Sequence, residues 1–278
     1  EFMSRALTYA AMNFNISRLV GPAVGSVVIA TWGTGAAFMI NALTYIPMIF
    51  VLATVRIHVE RAPDAKSRRV FAALVDGANY AIHHRVIRSV LALSCFVALV
   101  GTGMVELLPV FAEAVYDRGV TGLGMFASAS GVGAVASAFM LSRVKSDPAH
   151  FQRISIIGAF AAGCGMLGLG FAPWYELAVV LVAVTGFGLT AVGVGSQTAL
   201  QLTVDNKLRG RVMSFWSATT FGGIALGGTM LGAISEVGKI QYTARGSGVL
   251  ILCAAITGLW RLRRIGAMDV KPATETSN

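Results

Sequence analysis

Side chains with catalytic or metal-binding potential are few in this sequence, and they do not form a recognisable set. The histidines all fall in polar stretches, namely His58, His83, His84 and His150. The cysteines all fall in apolar runs, namely Cys95, Cys164 and Cys253. Neither group has the spacing of a metal site, and thiols in such runs are expected to serve packing. Adjacent histidines do not share a helix face, so we expect no metal site.

A compact charged cluster, residues 205–211, stands out because both of its flanks are uncharged. The 28 residues before it (177–204) and the 24 after it (212–235) contain no Lys, Arg, Asp or Glu. Runs of about 20 apolar residues match a helix that crosses a hydrocarbon core of about 30 Å. The cluster is therefore predicted to be a short turn between two membrane spans.

The composition of the whole chain agrees with this prediction. The 278 residues are 55% hydrophobic and 13% charged, and the mean hydropathy is +0.71. Soluble domains carry about 25% charged residues. A membrane β-barrel would show alternating segments of about ten residues, and these runs do not alternate. The predicted fold class is an all-α polytopic membrane protein.

About eight transmembrane helices are predicted from the apolar runs. Their ranges are 12–31, 35–55, 89–112, 121–143, 154–172, 177–204, 211–235 and 246–262. The 37 uncharged residues from Leu19 to Val55 are too long for one span, and the stretch TWGTG (31–35) offers a break. An even number of spans places both termini on one side.

The basic residues divide unequally between the two sides of this arrangement. Nineteen Lys and Arg fall on the side of the termini, and three fall on the other, namely Arg118, Lys239 and Arg245. By the positive-inside rule the first side is cytoplasmic, which predicts the bacterial inner membrane with both termini inside. The net charge of +9 is thereby explained by topology, and no nucleic-acid partner is expected. Residues 70–82 have the apolar spacing of an interfacial amphipathic helix.

Two stretches resemble the major facilitator superfamily. LQLTVDNKLRGRVMSFWS (200–217) is similar to the loop between the tenth and eleventh helices of its bacterial exporter branch, which includes the enterobactin exporter and the transmembrane secretion effectors. RLVGPAVGS (18–26) resembles the Gly-Pro motif of the fifth helix in facilitator antiporters. The stretch 141–153 stands where the loop after the eighth helix carries a degenerate gating motif. Residues that match these motifs are Arg18, Gly21, Pro22, Gly25, Arg143, Asp147, Arg153, Asp205, Arg209, Gly210 and Arg211.

This resemblance implies a partial facilitator fold. Such proteins have twelve helices, six in each half, so eight spans imply that the first four are absent. Residues 1–55 would hold the last two helices of the N-terminal half, and 56–88 a cytoplasmic linker. Residues 89–264 would form the six-helix C-terminal half, and 265–278 a cytoplasmic tail. Substrate binds between the halves of a facilitator, near the midplane, and the partners expected are lipid, a small-molecule substrate, and either the missing helices or a second copy.

Candidate pathway residues follow from depth in the bilayer. Glu106 lies 17 residues past Ser89, about 26 Å along the helix at 1.5 Å per residue, and is placed near the outer surface. Gln197 is placed at the cytoplasmic mouth. The aromatic candidates near the midplane are Tyr45, Phe187 and Phe221. Together with midplane glycines they predict an apolar, aromatic, glycine-rich wall.

The function predicted is a secondary active exporter of amphipathic small molecules, siderophore-like or drug-like. A proton gradient is expected to drive it, since no ATP-binding G-x-x-x-x-G-K-[ST] motif occurs in the sequence, and no cofactor is expected. The chain would be a truncated form. The alternative is a non-transporting membrane remnant or a partner-dependent subunit. A polytopic membrane enzyme is disfavoured because no nucleophile, metal set or acid lies mid-span.

Overall fold

The computed structural model consists of helices along the described part of the chain, which comprises residues 28, 31–32, 35–54, 80, 83–144, 147–204 and 206–268. Seven helices there are long and apolar enough to cross a membrane. We number them α1 (Gly35–Thr54) and α2 (Arg85–Val115), then α3 (Gly119–Ser142), α4 (Pro148–Leu169), α5 (Tyr175–Thr203), α6 (Asn206–Val237) and α7 (Ile240–Met268).

These seven helices confirm seven of the eight predicted spans and the all-α membrane class. The remaining span, 12–31, lies outside the described residues apart from positions 28 and 31, as does the predicted linker helix over 70–82 apart from Tyr80. The division into two half-domains stays a prediction.

Several helices extend beyond the uncharged runs that predicted them. Helix α4 begins six residues earlier than predicted, at Pro148, because the carboxylate of Asp147 caps it by accepting a hydrogen bond from the Ala149 N–H at 3.0 Å. Helix α6 begins at Asn206 and α7 continues to Met268. Arg209 and Arg211 therefore lie on a helix, and the prediction that residues 205–211 form a turn was wrong. A charge-free run measures only the part of a helix inside the hydrocarbon core, and helices continue past that core into polar surroundings.

Helix α5 is central, and small residues bring neighbours close on two sides. Toward α3, a Cβ on Gly186 would contact Ser130, and one on Gly133 would stand 2.7 Å from the Phe187 nitrogen. Toward α4, a Cβ on Gly165 would stand 2.5 Å from the Thr185 hydroxyl. Such approaches leave no room for a side chain, and they provide the dispersion contacts that hold helices together in lipid.

The main core joins five helices. Its fully buried members include Phe111 of α2, Phe126 of α3, Met166 of α4 and Ile251 of α7, and Val192 of α5 is 2% exposed. A second cluster, which includes Ile87, Leu200, Val212 and Trp216, joins α2, α5 and α6.

The helix ends sort into two groups that differ in charge. We call one the basic end: it contains the start of α2, α4 and α6 and the end of α3, α5 and α7. The described residues at the opposite end include three cations, namely Arg118, Lys239 and Arg245, and four carboxylates within a turn or so of helix ends, namely Glu113, Asp117, Glu176 and Glu236. Among the described residues, the unequal division predicted from the sequence thus coincides with the two ends of the bundle.

Candidate functional site

Helix α2 is irregular in its second half. It contains π-helical segments at Ala98–Thr102 and Phe111–Val115, and it is interrupted between Val105 and Leu108. Pro109 has no N–H to donate to the carbonyl of Val105, so the regular hydrogen-bond ladder cannot pass this point. Two residues earlier, the Leu107 N–H donates a hydrogen bond to Met104 O at 3.1 Å, which is the spacing of a turn rather than of an α-helix. Interruptions of this kind are frequent at functional sites.

Glu106 lies at this interruption and is exposed. Its Cβ and Cγ stand 3.6 and 3.7 Å from the position that a Cβ on Gly228 of α6 would occupy. Gly228 therefore leaves space beside the acidic side chain. Nine residues separate Glu106 from the end of α2 at Val115, which is about 14 Å along the axis. The carboxylate is thus inside the helical span, closer to the end opposite the basic one.

Phe221 belongs to the same side of α6 as Gly228, since the two are seven residues apart and positions at that spacing share a helix face. The side chain of Phe221 is 68% exposed. Leu226 and Met230 are also exposed, but each is two positions from Gly228 and therefore lies on the other side of α6. In the apolar 18-residue stretch of α6 only 11% of the residues are buried, whereas 56% are buried in the corresponding stretch of α2. Glu106 therefore borders the side of α6 that carries the exposed ring of Phe221.

The other predicted pathway residues lie on other helices. Phe187 and Gln197 are half-buried on α5, and Tyr45 is 58% exposed on α1. On α5 the exposed positions Val180, Val184 and Val194 share a face with Phe187. The sequence predicted these residues from depth alone, and the structure associates Glu106 with the Phe221 face of α6.

The midplane glycines have a different role from the one predicted. Gly163 and Gly165 of α4, and Gly186 and Gly188 of α5, are buried where helices touch. They were expected to line a pathway wall, and that expectation was wrong because a missing side chain allows backbones to approach rather than opening a cavity. Gly222 of α6 does face open space, with no atom within 4 Å of a would-be Cβ.

Residues that match the gating motifs all lie at the basic end where they are described. The Arg143 guanidinium lies 4.0 Å from the Phe139 ring centroid. Asp147 caps α4 and also pairs with His150, with Oδ2 at 2.7 Å from Nδ1. The Ala149 N–H and then His150 hold the pKa of the Asp147 carboxyl below its usual range. Arg153 lies within α4, and Gly210 precedes Arg211 in the first turns of α6. The remaining motif residues lie outside the described part, namely Arg18, Gly21, Pro22, Gly25 and Asp205.

Of the histidines and cysteines, two cysteines differ from expectation. His84 caps α2, with Nδ1 accepting from the Ile87 N–H at 3.5 Å, and His150 lies in the first turn of α4, so both stand at polar helix ends. Cys164 and Cys253 are exposed and only Cys95 is half-buried. Packing inside the protein was therefore the wrong prediction for two cysteines, because a helix that is apolar all around does not reveal which side faces lipid.

Two polar clusters escaped the sequence analysis. At the opposite end, the Arg245 Nε donates to Gly170 O at 2.7 Å, and the guanidinium covers the Phe171 ring at 3.9 Å. At the basic end, the Gln152 amide donates to the Ser89 hydroxyl at 3.1 Å, which links α4 to α2. Tyr242, three residues before Arg245 and with its ring centroid 5.0 Å from the guanidinium, was a usable signal for the first cluster. Nothing in the sequence paired Gln152 with Ser89, which are 63 residues apart.

A nearby aromatic group fixes the α2–α3 turn against the α4–α5 turn. The Tyr116 hydroxyl donates to Ala172 O at 3.1 Å, and the Tyr175 hydroxyl donates to Gly122 O at 2.9 Å. The rings of Tyr116, Tyr175 and Phe126 all pack against one another. Burial raises the pKa of the Tyr116 hydroxyl, which keeps this donor protonated.

Comparison with known proteins gives one family and a consistent set of relatives. The profile described as "Transmembrane secretion effector" matches residues 1–278. The multidrug efflux pump Tap of Mycolicibacterium fortuitum is 26% identical over 262 residues, which cover 91% of this chain and 62% of the relative. The staphyloferrin A transporter of Staphylococcus aureus is 21% identical, covering 90% of this chain and 62% of the relative.

A third relative is the enterobactin exporter EntS of Escherichia coli, which is 22% identical over 91% of this chain and 60% of its own length. The chain therefore spans about three fifths of the length of these curated relatives.

Proposed function

The chain belongs to the transmembrane secretion effector family, and from this membership we propose that it serves the secondary active export of amphipathic small molecules. The proposal rests on relatives that are named as multidrug and siderophore transporters. Because the chain spans about three fifths of their length, activity, substrate and partners are all part of the proposal.

The observation that carries the proposal is the surface shared by α2 and α6. It combines an acidic side chain at a helix interruption, Glu106, with the exposed aromatic side chain of Phe221. Ionisable residues within spanning helices are rare and often mark substrate pathways, and Glu106 lies in the outer part of such a helix. An aromatic surface with one anionic group matches an amphipathic molecule that carries a positive charge, because the apolar body and the cationic group each find a partner.

We further propose a proton gradient as the energy source and the bacterial inner membrane as the location, with both termini cytoplasmic. The location follows from the concentration of Lys and Arg at one end. The partners proposed are the bilayer, a small-molecule substrate, and either further helices or a second copy of the chain.

The test uses everted vesicles from cells that express the full-length protein, a lipophilic cationic dye and an imposed proton gradient. We expect dye accumulation that a protonophore abolishes. Glu106→Gln removes the negative charge and is expected to reduce accumulation at least tenfold, whereas Glu113→Gln, on the same helix, is expected to retain it. Equal activity in both variants would remove Glu106 from the pathway, and no gradient-dependent transport of any amphipathic compound would leave the non-transporting alternative.

A further inference from the structure

A groove of about 380 Å³ runs between α2 and α7, outside the α2–α6 surface described above. Its lining is mostly apolar. The side chains used below are Ala92 and Phe96 of α2, and Leu250, Cys253, Ala254 and Arg261 of α7. Arg261 is the one charged residue of the lining, and it lies at the basic end.

The polar groups of the groove other than Arg261 are engaged within the protein. The Ser89 hydroxyl donates to Val86 O at 2.8 Å and accepts from Gln152. The Thr257 hydroxyl donates to Ala254 O at 2.8 Å. The groove therefore has an apolar lining with one cationic group, that of Arg261, at one end.

On the two helices that form the groove, the charged residues near this end are all basic. Arg85 and Arg88 begin α2, and Arg261 lies near the end of α7. Residues 83–105 and 240–268 contain no Asp or Glu. An occupant with a negative group is therefore favoured there by several arginines and opposed by no nearby acid of either helix.

The length of the groove matches one leaflet of a bilayer. Eleven residues separate Leu250 from Arg261, about 16 Å along a helix at 1.5 Å per residue. Half of a hydrocarbon core of about 30 Å is about 15 Å. A molecule whose anionic group meets Arg261 would extend its apolar part to the bilayer centre at Leu250.

We propose that the α2–α7 groove binds one anionic phospholipid. The phosphate meets the Arg261 guanidinium, which suits bidentate recognition of phosphate, and one acyl chain lies along Ala92, Phe96 and Ala254. A symmetric contact with a second copy would bring two arginine-rich ends together, and that contact is disfavoured by like charge. The site does not depend on the proposed export activity, and it is tested by binding alone.

The experiment exploits the two exposed cysteines of the chain. Two single-cysteine proteins keep either Cys253, in the groove, or Cys164, on α4 and outside it, and each carries a bimane label. They are reconstituted with brominated phosphatidylglycerol or brominated phosphatidylcholine at equal mole fraction. At Cys253 we expect about a fivefold higher apparent affinity for the anionic lipid, the preference that one Arg near an anionic surface provides. At Cys164 we expect none.

Two variants distinguish the contribution of the Arg261 charge from that of the apolar lining. Arg261→Gln is expected to abolish the preference at Cys253. Ala92→Trp fills the groove, because Ala92 is exposed there, and it is expected to displace the lipid although Arg261 is retained. The unlabelled protein gives a second readout, since phosphatidylglycerol should raise its unfolding temperature in detergent more than phosphatidylcholine does, and Arg261→Gln should remove the difference.

Three results would overturn the proposal. Equal quenching by both lipids at Cys253 would mean that the groove holds bulk lipid only. Competition by soluble glycerol phosphate would mean that the arginine binds phosphate without the acyl chain. A disulfide between Cys253 residues of two chains under mild oxidation would mean that a second copy occupies the groove.

Discussion

Gly103 of α2 and Gly227 of α6 lie in direct backbone contact: a Cβ on Gly103 would stand 2.7 Å from the Gly227 carbonyl carbon. The contact falls immediately after the π-helical segment Ala98–Thr102. A Cβ on Gly227 would in turn collide with Leu99 O within that segment. The irregular part of α2, which positions Glu106, therefore depends on this crossing of α2 and α6.

Gly227→Ala is expected to destabilise the α2–α6 contact by about 1–3 kcal/mol, the usual cost of overpacking. Gly222→Ala is the matched control on the same helix, because a Cβ there meets no atom within 4 Å. Thermal unfolding in detergent measures both. A Gly227→Ala protein as stable as the Gly222→Ala protein would show that α2 and α6 do not touch at this point.

Arg245→Gln is expected to loosen the end opposite the basic one. The change removes the hydrogen bond to Gly170 O and the cation–π contact with Phe171, for which about 1–2 kcal/mol is a typical combined contribution. Lys239→Gln provides the control, since Lys239 is an exposed cation at the same end. Hydrogen exchange of the turn at residues 170–174 should accelerate in the first variant and stay unchanged in the second.

Asp147 makes the stability of the α4 start depend on acid. The pKa of the Asp147 carboxyl is lower in the folded protein than its usual 3.8. The interactions of the ionised carboxylate therefore contribute fully to stability above pH 3.8, and this contribution is lost as the pH falls through the lowered pKa of the folded state. Asp147→Asn can still accept from Ala149 but carries no charge, so the difference in unfolding temperature between wild type and variant should shrink as the pH falls from 5 to about 2. A difference that stays constant would contradict the assignment.

The sidedness of the bundle can be tested with cysteines placed at its two ends. In a protein that lacks Cys95, Cys164 and Cys253, Lys239→Cys should react with an impermeant maleimide added to intact cells. Arg143→Cys should react only after permeabilisation, because the end rich in Lys and Arg is expected to be cytoplasmic. Both positions are exposed. The reverse pattern would invert the topology.

Arg209 and Arg211 are expected to take part in conformational switching, by resemblance to the exporter loop that they match. Arg209→Lys with Arg211→Lys keeps both charges and removes the planar, bidentate donors. Transport by the full-length protein should fall several-fold while the amount in the membrane stays unchanged. Unaltered transport would reduce both arginines to topological signals.

Much of the architecture was predictable because the bilayer imposes a simple rule. A helix in hydrocarbon must be apolar over about 20 residues, so the uncharged runs located all seven described spans. Helix ends were less predictable. The cap at Asp147 and the continuation of α7 to Met268 lie outside the hydrocarbon core, where hydropathy no longer limits the helix.

The sequence by itself determined the membrane class, the number and order of the described helices, and the unequal charge of the two ends, because these depend on single-residue transfer energies and local periodicity. Only the tertiary structure decided which side of each helix faces a neighbour. Gly103 touches Gly227 and Gln152 bonds to Ser89 across more than 60 residues of chain, whereas Cys253 and Phe221 face outward. Lipid and protein interior are equally apolar, so composition cannot distinguish a packed face from an exposed one, and the distinction arises only when particular side chains and backbones fit together.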